Sequence, residues 1–229
     1  MITLIGIAHV FDVHDRLRDE IRSRRPEVVA VELDKARYEA LGKPQSSKGS
    51  PLIYRVMAYI QKRIGEEYGV VPGSEMKVAV DMAREIGASV AFIDLPATYT
   101  FKRLMDAMTF KEKVYLVFGV LAGLFIGKKK IDEEMENFQE NEESYMQVVE
   151  KNMPSIARVL IDERNTFMAR NIVELERRFG DVVAIVGDGH ARGLIKELED
   201  KDLEVIRLKE MMKERGGDQV NFSFSYDVQ

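Results

Sequence analysis

The chain has 229 residues, 45% of them apolar and 32% charged, with a formal net charge of −5. It is long and apolar enough for a buried core in one domain, and too hydrophobic to be a disordered chain. Mixed, mildly acidic charge excludes a nucleic-acid-binding face, and the absence of cysteine excludes disulfides and thiolate metal sites.

Ile2–Ala8 (ITLIGIA) is a short apolar run that reads as a buried strand. Asp12–Arg25 carries Val13, Leu17 and Ile21 at helical spacing, with Asp12 as the expected N-cap and Pro26 as the stop. Glu27–Asp34 (EVVAVELD) is a second strand, so the first unit is the βαβ pattern of a parallel sheet. Gly42–Pro51 is a polar loop, and helices are predicted over Leu52–Tyr68 and Ser74–Ile86. Ala88–Pro96 is a third strand. A helical section follows from about Thr98 to Phe179 and contains the uncharged run Val114–Gly127. Asp181–Gly189 is a fourth strand, Ala191–Leu198 a helix and Leu203–Leu208 a last strand.

These elements predict an α/β fold: a mostly parallel sheet with flanking helices and a large helical insertion at about 98–179, all in a single domain over 1–229. Met1 opens directly on the first strand, so no signal peptide is expected. The run Val114–Gly127 falls short of a membrane span, which needs roughly 20 residues. Lys111 and Lys113 precede it and Lys128, Lys129 and Lys130 follow it, so its burial is expected in the core, against a second subunit or on a lipid surface. A subunit interface is the favoured expectation. The expected location is cytoplasmic or membrane-associated.

Two of the three histidines stand in the same Gly-x-x-His pattern, His9 in GIAHV and His190 in GDGHA, each just after an apolar strand. Ligands of an open parallel sheet bind beyond the carboxyl ends of its strands. The two imidazoles therefore either converge on one site or are turn histidines with satisfied hydrogen bonds.

Glu32 is anomalous in a strand covered on both faces. Val29, Val31 and Leu33 share one face, while Ala30, Glu32 and Asp34 share the other. A buried carboxylate needs a partner or a cation. Asp34 reads more simply as a strand terminus or helix N-cap. Asp94 ends the third strand on the same rim. Arg164 falls about 40° from Leu160 on a helical stripe with Phe167, Met168 and Leu175. It either pairs with an anion, such as Glu32, Asp94 or a substrate carboxylate, or extends to the surface. Methionine there should suit the fold unless it strands the anionic partner.

The ordered set of motifs resembles the TraB/PrgY family, the pheromone-shutdown-like proteins, which are related to the Tiki metalloproteases. The similar blocks are GIAHV (Gly6–Val10), PEVVAVELDKARYEAL (Pro26–Leu41, with Glu32 and Arg37), IDLPATYTFKRL (Ile93–Leu104, with Asp94, Thr100 and Arg103), DERNTFMA (Asp162–Ala169, with Arg164) and VVAIVGDGHARGL (Val182–Leu194, with Gly193). The third block departs from the family pattern, with Leu95 where Arg usually follows the Asp. The resemblance implies an erythromycin-esterase/ChaN-like fold. It also implies either divalent-metal-dependent peptide hydrolysis or the binding of a small peptide signal. Many members carry a membrane-spanning region after this domain, so attachment through a region outside this chain is expected.

The leading expectation is a metal-dependent hydrolase of peptides. His9, His190 and Glu32 would hold Zn²⁺, Mn²⁺ or Co²⁺, with Glu32 alternatively the general base. Arg164 and Arg37 would bind a carboxylate or meet the developing oxyanion, and Asp94 and Arg103 would bind substrate. Expected partners are a peptide or small-molecule substrate and a second copy of the chain, with no nucleic acid. The rival readings are a metal-free His/Glu hydrolase and a protein that sequesters a peptide.

Overall fold

The computed structural model describes residues 1–8, 13–41, 73–123 and 142–212. The expected N-cap Asp12, the loop at 42–51, the helix at 52–68 and the end of the run at 114–127 lie outside them.

Five strands form one sheet: β1 (Ile2–Ile7), β2 (Val28–Val31), β3 (Ser89–Phe92), β4 (Val182–Gly187) and β5 (Leu203–Ile206). Their order is β3-β2-β4-β1-β5 and every pairing is parallel. The helices among the described residues are α1 (His14–Arg24), α2 (Lys35–Ala40), α3 (Ser74–Glu85), α4 (Ala97–Ala107), α5 (Phe110–Gly123), α6 (Glu142–Asn152), α7 (Glu163–Phe179), α8 (Asp188–Glu197) and α9 (Leu208–Met211). A short turn at Pro154–Ile156 and a π-helical segment at Ala157–Asp162 lead into α7.

The two faces of the sheet carry separate cores. Ile5, Ile7, Val29, Val31, Val183 and Ile185 face α1, α3 and α9, meeting Leu17, Ile21, Met76, Val80 and Met211. Ile2, Leu4, Val28, Ala30, Ala184 and Val186 face α7 and α8, meeting Met168, Ile172, Ala191 and Leu194. Both faces are apolar because helices cover both, which is why β1, β2 and β4 read as continuous hydrophobic runs. Each large side chain so buried stabilises the fold by about 1.5–3 kcal/mol.

Neighbouring strands β2 and β4 send their chains to opposite faces, β2 toward α3 and β4 into α8. That divergence opens a switch point at the carboxyl edge of the sheet, where ligands of such folds bind.

The strands are shorter at their carboxyl ends than the sequence predicts, and the reasons are local. After Val31 the chain turns, with Leu33 N donating to Val31 O at 2.7 Å. Asp34 then caps α2, its side chain accepting from Arg37 N at 3.0 Å. Of its two expected roles, the N-cap is the one observed. The fourth strand stops at Gly187, and α8 begins at Asp188 rather than Ala191. His190 therefore lies in the first turn of a helix.

The helical section between β3 and β4 divides in two. α7 is the crossover helix that covers the sheet, whereas α4, the π-helical segment and the start of α5 share a small core of Leu104, Met108 and Val159. Glu112 ties this part together, accepting from the backbone N–H and the hydroxyl of both Thr109 and Ser155. Burial opposes its ionisation, yet those bonds lower its carboxyl to about 2. On α5, Phe110 is 81% exposed, Tyr115 62% and Phe118 68%. Among the described residues, no helix is long and apolar enough to cross a membrane.

Candidate functional site

Four of the sequence-predicted residues meet at the carboxyl edge. Glu32 follows β2, Asp94 follows β3, Arg164 lies in the first turn of α7 and His190 in the first turn of α8. Arg164 is the hub. Its Nε donates to Asp94 Oδ1 at 2.9 Å, and its Nη2 donates to Asp94 Oδ2 at 2.8 Å and to Glu32 Oε1. Its Nη1 donates to Leu160 O at 3.2 Å and to His190 Nε2 at 2.9 Å. A guanidinium has five N–H groups, and all five are engaged. The π-helical segment supplies Leu160, the kind of local irregularity often found at functional sites.

Burial alone would lower the Arg164 pKa, but hydrogen bonds and charge from Asp94 and Glu32 outweigh it and raise it. Arg164 is thus permanently charged and paired. Of the two readings open for it, pairing with an anion holds, and the anions are Glu32 and Asp94 together.

Arg37 joins from α2. It donates through Nε to Asp34 Oδ2 at 2.9 Å and through Nη2 to Asp94 Oδ2. Asp94 is therefore occupied by two guanidinium groups, and its carboxylate holds the cluster together. The Asp34 carboxyl is held below the ordinary carboxylate range. Its burial pulls the other way, and the N–H groups of Arg37 and Ala97 with the Arg37 guanidinium prevail. Arg37 remains 38% exposed and is the outermost charge of the group.

His190 is 6% exposed. Its pKa is lowered, first by burial and then by Arg164, against the opposing pull of Glu32 and Asp94. The ring is therefore neutral at physiological pH. Its Nε2 stands 3.3 Å from Glu32 Oε1. Glu32 also accepts the N–H of Gly187 at 2.6 Å, which fastens the end of β2 to the end of β4.

The two glycine motifs interlock. A Cβ on Gly6 would fall well inside contact distance of Asp188 Oδ1, so the first glycine of one motif makes room for the aspartate of the other. Asp188 is pinned there by Arg207 Nε and Nη2 and by Leu208 N, at 2.8, 2.8 and 2.9 Å.

His9 lies outside the described residues. Arg103, expected at the substrate, gives its guanidinium to Glu163 in a bidentate pair at 3.1 and 2.7 Å. Thr100 donates its hydroxyl to Pro96 O within its own helix. Among the described residues, no group of three His, Asp or Glu side chains is arranged to hold a metal ion.

Sequence reasoning missed Asn165, which is 3% exposed and whose Oδ1 lies 2.7 Å from His190 Nδ1. The signal was present. The buried stripe of α7 is Asn165, Met168, Ala169 and Ile172, at i, i+3, i+4 and i+7. Taking Leu160 as reference put Arg164 at the centre and overlooked its neighbour.

Comparison with known proteins agrees with the motifs. The chain is 36% identical over 232 residues to an uncharacterised protein of Methanocaldococcus jannaschii, covering 93% of this chain and 58% of that protein. It is 25% identical over 235 residues to the human TraB domain-containing protein, covering 84% and 61% respectively. It thus spans about six-tenths of the length of these relatives. A solved structure described as cofacial heme binding to ChaN of Campylobacter jejuni aligns over 90% of this chain and 80% of that one, at 14% identity and a TM-score of 0.39. The model of the TraB/PrgY/gumN family matches residues 1–207, and the chain belongs to that family.

Proposed function

We propose that the protein is a hydrolase of a carbonyl bond, in a peptide or an ester, working through Glu32, His190 and Arg164 without a metal between them. The observation that carries this reading is the 2.9 Å contact between Arg164 Nη1 and His190 Nε2. A guanidinium only donates, so the single lone pair of Nε2 is already engaged. Glu32 likewise accepts from Arg164 on one oxygen and from Gly187 on the other. The donor set therefore does not fit a divalent cation in this arrangement, because a cation would have to displace Arg164 from both groups.

Glu32 retains acceptor capacity, since a carboxylate offers about four lone-pair sites and two are used. It takes a proton from water, whose oxygen attacks the substrate carbonyl carbon. The C–N or C–O bond to the leaving group then breaks, and the leaving atom receives the proton held by Glu32. The developing oxyanion competes for the Arg164 N–H that His190 now accepts. A charged acceptor prevails over a neutral imidazole, so the donor passes to it as charge develops. Arg37, the half-buried guanidinium at the outer side of the cluster, suits a substrate carboxylate through the N–H groups that Asp34 and Asp94 leave free.

The test is hydrolysis of a panel of peptides and activated esters by untagged protein, with and without chelator, alongside metal analysis. We expect turnover that survives chelation and drops on the order of 100-fold or more in Glu32→Gln. Turnover lost to chelator and restored by Zn²⁺, Mn²⁺ or Co²⁺ would return the site to a metal held by His9, His190 and Glu32. Saturable peptide binding with no turnover would favour sequestration.

A further inference from the structure

We propose that Asn165 is a positioning residue that sets the tautomer of His190, and that Gly193 exists to seat it. The inference rests on the site described above, but its test reads the imidazole itself and needs no activity.

The argument starts from the guanidinium. Arg164 cannot accept a hydrogen bond, so at 2.9 Å the His190 Nε2 facing it must present its lone pair. A neutral imidazole has one N–H and one lone pair, so the proton sits on Nδ1. The partner of Nδ1 at 2.7 Å must then accept, which makes it the Asn165 carbonyl oxygen. The amide orientation follows from that chain of donors rather than from any free choice.

The amide nitrogen then points the other way, toward Gly193. Asn165 Nδ2 is the nearest atom to the position a Gly193 Cβ would take, well inside contact distance. Gly193 follows His190 by three residues on α8, so both lie on the helical face turned to α7. Any side chain at 193 would push the amide off Nδ1. Asn165 is buried between the two helices, so its amide can clear a Cβ at 193 only by turning away from the ring. Without Asn165 the buried Nδ1 proton has no acceptor, so the Arg164 donor alone opposes the Nε2–H form and the preference between tautomers weakens.

The test is nitrogen NMR of protein labelled in histidine, at about pH 8 where neutral imidazole prevails. There are three histidines, His9, His14 and His190, and the spectrum of His190→Gln assigns the third. Ring nitrogen shifts separate the two tautomers. Wild type should show His190 protonated on Nδ1. Asn165→Leu and Gly193→Ala should each move it to a mixture or to the Nε2–H form. Where turnover is measurable, kcat should fall about 10- to 100-fold with KM little changed.

A wild-type His190 protonated on Nε2 overturns the proposal without any variant, as does an unchanged Nδ1–H form in folded Asn165→Leu. Should Asn165→Leu fail to fold, Gly193→Ala carries the same decision. A failed hydrolysis assay leaves the tautomer result standing, and a failed tautomer result leaves hydrolysis standing.

Discussion

Arg164 and Asp94, 70 residues apart in the chain, face each other through two parallel hydrogen bonds of 2.9 and 2.8 Å. The geometry is the bidentate fork that guanidinium and carboxylate form best. The Asp94 side chain is 2% exposed and that of Glu32 11%, so Asp94 above all has little water to replace the guanidinium. Arg164→Met should therefore destabilise the fold by up to about 3–5 kcal/mol, because it removes the guanidinium the two carboxylates share and leaves Glu32 with only the Gly187 N–H and Asp94 with Arg37 and the Leu95 N–H. Urea unfolding at neutral pH measures this, and a variant as stable as wild type would show that the carboxylates find other partners.

Gly6→Ala should cost about 1–3 kcal/mol by overpacking. The obstacle is the Asp188 carboxylate, which would normally swing aside but is held by Arg207 and Leu208. Pairing the change with Asp188→Ala should recover part of the loss. Thermal melts of the two single variants and the double variant decide it, and strictly additive losses would mean that the two residues do not meet.

His190 gives stability a pH dependence in the mildly acidic range. Its pKa in the folded chain is depressed below the ordinary 6.5, so the unfolded chain binds a proton there that the folded chain refuses. The contribution is present above 6.5 and falls as pH drops below it. Wild type should lose more stability than His190→Gln between about pH 6.5 and 5. Parallel slopes for the two proteins would contradict a buried neutral imidazole.

The aromatic side chains of α5 bear on association. Phe110, Val114 and Phe118 recur every fourth residue, on one side of the helix. We expect this side to pair with a second copy of the chain. Light scattering should give a dimer for wild type and a folded monomer for Phe110→Glu with Phe118→Glu. Flotation with anionic liposomes provides the other arm, and a wild-type monomer that ignores liposomes would remove both external partners.

Much of this was legible in the residues. The continuous apolar runs of β1, β2 and β4 announced a sheet covered on both faces, and Glu32 stood out because it interrupted one. Arg164 announced itself in the same way, as a charge at an apolar face. Strand ends were less legible, because they depend on pairings such as Glu32 N to Ile185 O that join segments 153 residues apart. Asn165 escaped because an asparagine among apolar residues carries no charge to betray it; only the ring it touches, on another helix, explains its burial. The saturation of Arg164 was also beyond a sequence reading, since it takes Leu160, His190, Glu32 and Asp94 at once to use five donors.

The position of β1 has a consequence for how the chain comes together. It is flanked by β4 and β5, with Ile2 opposite both Val182 and Leu203. β1 therefore emerges from the ribosome with neither of these partners available until some 180 residues later have emerged. Contacts of such long range slow folding, and an unpaired apolar strand is exposed to aggregation in the interval. During that wait the strand is a natural target for chaperones. Pulse-labelled hydrogen exchange during refolding should find the amides of β1 among the last to gain protection, and early protection there would refute this order of assembly. The carboxyl edge that carries the Glu32–Arg164–His190 cluster inherits the delay, since Gly187 and His190 arrive with the same late segment.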